Sequence, residues 1–144
     1  MFEHVLIPVD GSEPASAAAR FGMDLAAEHD ATVHVLYVVE PVPMGEGGTG
    51  QVIESMQEAG ESIVSETAEQ AEERGLTVVT TVNTGTAKRE ILDYAERNDI
   101  DLVVIGTHGR TGIGRYLLGS VTESVVRLSD IPVLTVQSPA DNRD

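Results

Sequence analysis

Cysteine and tryptophan are both absent from this chain, and their absence limits the chemistry before any pattern is read. Without cysteine there is no disulfide framework, no thiolate metal site and no thiol nucleophile. With only two Phe and three Tyr, the core has to be built from Val, Ile, Leu and Ala. Lysine is nearly missing as well. Of nine basic residues only Lys88 is a lysine, against 24 acidic residues, and the formal net charge is −15. Such a surface repels the phosphates of DNA and RNA, so no nucleic-acid partner is expected. A carboxylate-rich, lysine-poor surface also matches proteins from high-salt cytoplasm, so a halophilic source is one expectation and an ordinary acidic protein the other. Long hydrophobic runs are lacking too. Met1-Phe2-Glu3-His4 has no basic segment, and Val5–Val9 is too short for a signal peptide or a membrane span. A soluble cytoplasmic protein without a membrane partner is expected.

What is present is a regular alternation. Five short apolar, β-branched runs, Val5–Val9, Thr32–Val39, Thr77–Val82, Leu102–Ile105 and Pro132–Val136, are separated by stretches with helical periodicity. The first helix is expected over Glu13–His29, with Ala17, Ala18, Phe21, Leu25 and Ala26 inward. The second spans roughly Gln51–Arg74, with Ile53, Met56, Ile63 and Ala71 inward. The third covers Ala87 to about Asn98 and carries Ile91, Leu92 and Ala95. The fourth starts near Gly119 and carries Val121, Val125, Val126 and Leu128. Ser12 reads as an N-cap with Pro14 in the first turn, and Gly75 as a helix-closing residue. Strands alternating with helices imply βαβ units, a parallel sheet and helices on both faces. Four runs look buried on both faces, while Pro132 and the alternation after it suggest an edge strand. Glu40–Gly50, rich in Gly and Pro, reads as a mobile loop, and Ser138–Asp144 as a frayed polar tail after a single domain over residues 1–137.

The stretch with most chemical content is Gly106-Thr107-His108-Gly109-Arg110-Thr111-Gly112-Ile113-Gly114, which leads through Gly119-Ser120-Val121-Thr122 into the fourth helix. Ligands of open α/β sheets bind beyond the carboxyl ends of strands, and glycines there let backbone N–H groups approach a phosphate. A helix amino terminus adds partial positive charge, and the hydroxyls of Ser120 and Thr122 are candidate donors. Between Leu102 and Thr122 there is no Asp or Glu, although three or four would be expected at the chain average of 24 in 144. Arg110, Arg115 and His108 fall in that gap. The P-loop pattern G-x-x-x-x-G-K-[ST] and the dinucleotide fingerprint G-x-G-x-x-G are both absent. Lys88 and Arg89 lack phosphate-loop spacing, the glutamates Glu54 to Glu73 read as a solvated helix face, and the four histidines are scattered without metal spacing.

Gly106-x2-Gly109-x9-Gly119-Ser120 resembles the G-2x-G-9x-G-[S/T] nucleotide motif of the universal stress protein family. Ile7-Pro8-Val9-Asp10-Gly11-Ser12 is similar to that family's first strand and turn, and Leu36-Tyr37-Val38-Val39 to the end of its second strand. Ile131-Pro132-Val133-Leu134 is similar to its last strand, so the resemblance covers nearly the whole chain. It implies a three-layer α/β/α doubly wound domain with a five-stranded parallel sheet of order 3-2-1-4-5. It also implies ATP as ligand, with Pro8, Val9 and Asp10 as nucleotide-binding residues, Asp10 near ribose and phosphates and a candidate Mg2+ ligand. The backbone of Val38 would read adenine, while Gly106, Gly109, Gly119, Ser120 and Val121 would hold ribose and phosphates, with Thr122 close by. A homodimer through the last strand and a nucleotide-dependent switch in stress response follow from the same resemblance. Two alternatives stand beside it: an interaction module of the same fold without nucleotide, and a slow ATP hydrolase.

Overall fold

The computed structural model describes residues 1–41, 49–108 and 118–138. Its elements run β1 (His4–Pro8), α1 (Glu13–His29), β2 (Thr32–Val39), α2 (Thr49–Glu73), β3 (Val78–Thr84), α3 (Ala87–Arg97), β4 (Leu102–Gly106), α4 (Ser120–Leu128) and β5 (Val133–Val136). The five strands form one sheet in the order β3-β2-β1-β4-β5, and every neighbouring pair is parallel. This is the expected doubly wound order. The chain winds outward from β1 to β3, then returns across β1 to β4 and β5, so the crossover direction reverses between β1 and β4.

Strand alternation divides the core between the two faces. Val5 and Ile7 of β1 and Val33, Val35, Tyr37 and Val39 of β2 pack with α1 and α2. Leu6, Leu36, Val103 and Ile105 pack on the other face with Ile91, Tyr94 and Ala95 of α3 and Val125 of α4. Local punctuation follows the sequence. The Ser12 hydroxyl accepts the Ala15 N–H at 3.3 Å, and Gly75 closes α2 at φ +77°. The glutamates of α2 are solvent-exposed.

Several expectations are corrected. Phe21 is 49% exposed, because α1 lays its small residues Ala15, Ala18, Ala19, Gly22 and Ala26 on the sheet and so turns Phe21 outward. In α4 only one face is covered. Val125 is fully buried, but Val126 and Leu128 are 43% and 48% exposed. The third strand run is not buried on both faces. It forms an outer edge of the sheet, and Val79 is 41% exposed there. Ser138, expected to open a frayed tail, is buried directly after β5. Residues 139–144 and most of the Glu40–Gly50 segment lie outside the described residues.

Candidate functional site

A cleft of about 710 Å³ opens at the carboxyl ends of the strands, at the reversal between β1 and β4. Pro8, Val9 and Asp10 reach it from the end of β1, and Leu36 and Val38 from β2 with Glu40 just past its end. Ile105 and Gly106 come from β4, Ala87 and Ile91 from α3, and Gly119, Ser120, Val121 and Thr122 from the start of α4. Nine of the ten residues singled out in the sequence therefore border one cavity. The tenth, Gly109, lies outside the described residues.

The walls are set by close backbone packing. Gly106 ends β4 where the first turn of α1 crosses it, and a Cβ at that position would sit 2.7 Å from the Pro14 carbonyl. The Thr122 hydroxyl donates to the Gly106 carbonyl at 2.7 Å and is buried. Its proton is thereby used to seat α4 on β4. Ser120 stays exposed at the first position of α4. Gly119 is the N-cap of α4, in an extended conformation (φ −63°, ψ 157°), and donates its N–H to the Thr107 carbonyl at 2.8 Å. A Cβ on Gly119 would meet His108 Cα at 3.0 Å. A side chain here would press on the protein's own backbone, and no positive φ is involved.

Two features give the cleft directional polarity. Gly119 supplies no side-chain cap, so the first N–H groups of α4 face the cleft end without a capping oxygen from that residue. At the other end lies Val38. In a parallel ladder both backbone groups of a residue turn toward the same neighbour, and the side alternates along the strand. The Leu36 carbonyl accepts Val9 N–H at 2.9 Å on the β1 side, and the Val39 carbonyl accepts Gly85 N–H at 2.9 Å on the β3 side. Val38 therefore turns its N–H and C=O to the β1 side, past the last rung, Pro8 with Leu36. A donor and an acceptor lie side by side there.

The carboxylate gap in the sequence does not make the cleft free of carboxylates. Asp10, Glu40 and Glu123 all border it. Each is engaged locally: Asp10 accepts Ser12 N–H at 3.0 Å, Glu40 accepts Ala87 N–H at 2.9 Å, and Glu123 pairs with Arg127 at 3.1 Å. Among the described residues no group of three or more acidic or histidine side chains could hold a metal ion. Asp10 alone offers a carboxylate at the end of β1, enough only for an ion that brings most of its ligands with it. No described helix is long and apolar enough to cross a membrane.

Sequence reasoning missed Leu36, Ile91 and Ile105, the apolar floor of the cleft, although same-face alternation with Val38 could have found Leu36. It also missed Glu40, for which spacing carries no signal. Two of the four histidines meet. His4 Nδ1 and His34 Nε2 lie 3.1 Å apart, and His34 Nδ1 lies 2.7 Å from the Tyr94 hydroxyl, in a chain that links β1, β2 and α3 away from the cleft. Burial, and then the neighbouring His4, lower the His34 pKa below its ordinary value. Burial raises that of Tyr94, partly offset by a hydrogen bond from Thr81 of β3. His108 does border the cleft.

Comparison with known proteins agrees with this architecture. Universal stress protein MJ0531 of Methanocaldococcus jannaschii is 36% identical over 143 residues, covering 96% of this chain and 84% of that protein. The solved structure of protein MJ0577 from the same organism superposes with a TM-score of 0.86 at 28% identity, covering 95% of this chain and 96% of the other. A universal stress protein family structure from Arabidopsis thaliana, with AMP bound, superposes at 0.73 with 18% identity, over 99% of this chain and 95% of that one. The profile of the universal stress protein family matches residues 1–137, and the chain belongs to that family.

Proposed function

We propose that this protein binds an adenine nucleotide in the cleft, with ATP as its ligand, and that occupancy controls a dimer acting in stress response. One observation carries the reading. The cleft pairs a backbone donor and acceptor at Val38 with the amino terminus of α4 at its other end. Adenine's amino group and ring nitrogen match such a donor–acceptor pair, and phosphates match uncapped helix N–H groups. The apolar floor of Leu36, Ile91 and Ile105 suits the face of a base. The AMP bound to the Arabidopsis neighbour supports the ligand class at the level of the shared fold. A Mg2+ ion would reach Asp10 together with the phosphates, which it would help to neutralise.

Guanine reverses the donor–acceptor order on the edge that Val38 faces, so the base should be selected. ATP should raise the melting temperature more than GTP does, because only binding to the folded state stabilises it, by about 2.7 kcal/mol at a hundred times Kd. Equal shifts with both nucleotides would remove the adenine assignment, and no shift with either would remove the nucleotide site. For assembly, β5 is a four-residue edge strand whose residues are only half-buried. Pairing of two such edges across a two-fold axis is the proposed contact. Sedimentation at micromolar concentration in high salt, where the −15 charge of each chain is screened, should show a dimer. A monomer there would refute the contact.

A further inference from the structure

We infer that Glu40 is a positioning residue that sets base selectivity, an inference that rests on the nucleotide reading of the cleft. The Val38 donor–acceptor pair can discriminate only if its direction is fixed, and β2 has little to fix it on the cleft side. The last contact there is Val9 N–H to the Leu36 carbonyl, two residues earlier. On the opposite side two bonds follow in succession. Gly85 N–H donates to the Val39 carbonyl at 2.9 Å, and Ala87 N–H donates to Glu40 Oε2 at 2.9 Å. Together they fasten the end of β2 to the β3–α3 turn, with Val38 immediately before the fastened pair.

The Glu40 bond has a second consequence. Ala87 is the first residue of α3, and the N-cap residue Thr86 makes no side-chain capping bond. From just past the end of β2, Glu40 therefore supplies an acceptor for the first of the amide groups that open α3 without an intrahelical partner. Its carboxylate also lies favourably at the positive end of the helix dipole. Ala87 and Ile91 of the same helix border the cleft. One side chain thus holds both the reader of the base edge and part of the floor beneath the base. Loss of the carboxylate should loosen the direction of the Val38 pair and weaken ATP more than GTP.

The test is calorimetric titration of ATP and GTP, with circular dichroism to establish folding. Glu40→Ala should lower the ATP-to-GTP affinity ratio by about five- to tenfold, the scale of one lost cap. Glu40→Gln keeps an oxygen that can accept the Ala87 N–H and should keep the ratio within about twofold of wild type. Adding Thr86→Asp to Glu40→Ala supplies a local cap to α3 without tying it to β2. That double variant should regain thermal stability but not the ratio, and it carries the test if Glu40→Ala alone is too unstable. The inference is overturned if the wild type prefers ATP and Glu40→Ala keeps that preference, or if Thr86→Asp restores it. A wild-type protein that binds neither nucleotide, or both equally, overturns the functional reading itself, an outcome visible before any variant is made.

Discussion

Helices α3 and α4 both begin at the carboxyl edge of the sheet, both border the cleft, and neither receives a side-chain cap from its own N-cap residue. They differ in what replaces it. The start of α3 is closed by Glu40, and further along the helix Tyr94 bonds His34. Among the described residues, the start of α4 is held through backbone and a hydroxyl: Gly119 N–H to Thr107, and Thr122 Oγ1 to Gly106. The amino terminus of α3 meets a carboxylate from outside the helix, whereas α4 has only Glu123 of its own first turn, which is turned to Arg127. On a chain of net charge −15 that contrast matters, because an anion site needs local positive potential and a distance from carboxylates that the average surface lacks.

The sharpest way to break the contrast is to give α4 a carboxylate as well. Gly119→Glu places a negative charge at the uncapped terminus and forces a Cβ against His108 Cα, 3.0 Å away. ATP binding should be lost in calorimetric titration while circular dichroism keeps its helical signature, because Gly119 lies outside both core clusters. Gly119→Ala needs no unusual backbone angle, since φ is −63°, and carries only the steric part. It should weaken ATP by about tenfold, the size of a few tenths of an ångström of forced adjustment at a contact site. If folded Gly119→Glu bound ATP with wild-type affinity, α4 would not be the phosphate end.

A second test loosens α3 and leaves α4 alone. The His34 pKa lies below its ordinary value of 6.5, first through burial and then through His4. The groups facing it are His4 from β1 and Tyr94 from α3, with Thr81 of β3 behind Tyr94 and Asp101 accepting the backbone N–H of His4. As pH falls through 6.5, the unfolded chain takes up a proton that folded His34 resists, so the folded state loses stability toward acid. Tyr94 works at the other end. Its pKa is raised above 10.0, so stability is lost as pH rises past that value and the unfolded phenol ionises first. Urea midpoints at pH 7.5, 6.5 and 5.5 should therefore fall more steeply for wild type than for His34→Gln. Parallel curves would show that the His34 environment does not couple to folding. Hydrogen exchange should locate the acid loosening in α3 rather than in α4.

How much of this was legible in sequence depends on whether the signal is local. The first helix, Glu13–His29, and the second strand, Thr32–Val39, have the bounds read from periodicity and capping residues, because those signals lie within the element. The strand order came from family resemblance, since five similar apolar runs do not state who pairs with whom. Phe21 was misassigned because periodicity alone does not choose between adjacent stripes of an alanine-rich helix, and packing of the small residues decided it. The glycine-rich segment reads as a candidate ligand site from composition, but the local duties of Gly119 and Thr122 do not. Both depend on the start of α4 meeting the end of β4, a contact that the pattern within either element does not encode. His4 and His34 stand thirty residues apart and meet only because β1 and β2 pair in register. Glu40 precedes a Gly- and Pro-rich segment and looks like a loop residue until α3 is seen to begin beside it.

The smallest effect tests whether the cleft tolerates its carboxylates only because each is occupied. Glu123 lies one turn into α4 and borders the cleft, but its Oε2 is 3.1 Å from Arg127 Nε, with both side chains more than half exposed. As a contributor to stability such a pair is worth little, about 0.3–0.5 kcal/mol for this spacing on a helix. Its consequence for a bound phosphate is different. Arg127 partly cancels a charge that stands at the same end of the cleft as the ligand's own. Arg127→Gln keeps helix propensity and removes that cancellation, so ATP should bind about two- to fourfold more weakly at low salt, with the melting temperature nearly unchanged. In 1 M salt, where the screening length falls to about 3 Å, the difference should vanish. Glu123→Gln should act in the opposite direction and make the Arg127 substitution neutral when the two are combined. If Arg127→Gln left ATP affinity unchanged at low salt while Gly119→Glu abolished it, Glu123 would lie outside the field felt by the phosphates. The anion end of the cleft would then be confined to the first turn of α4.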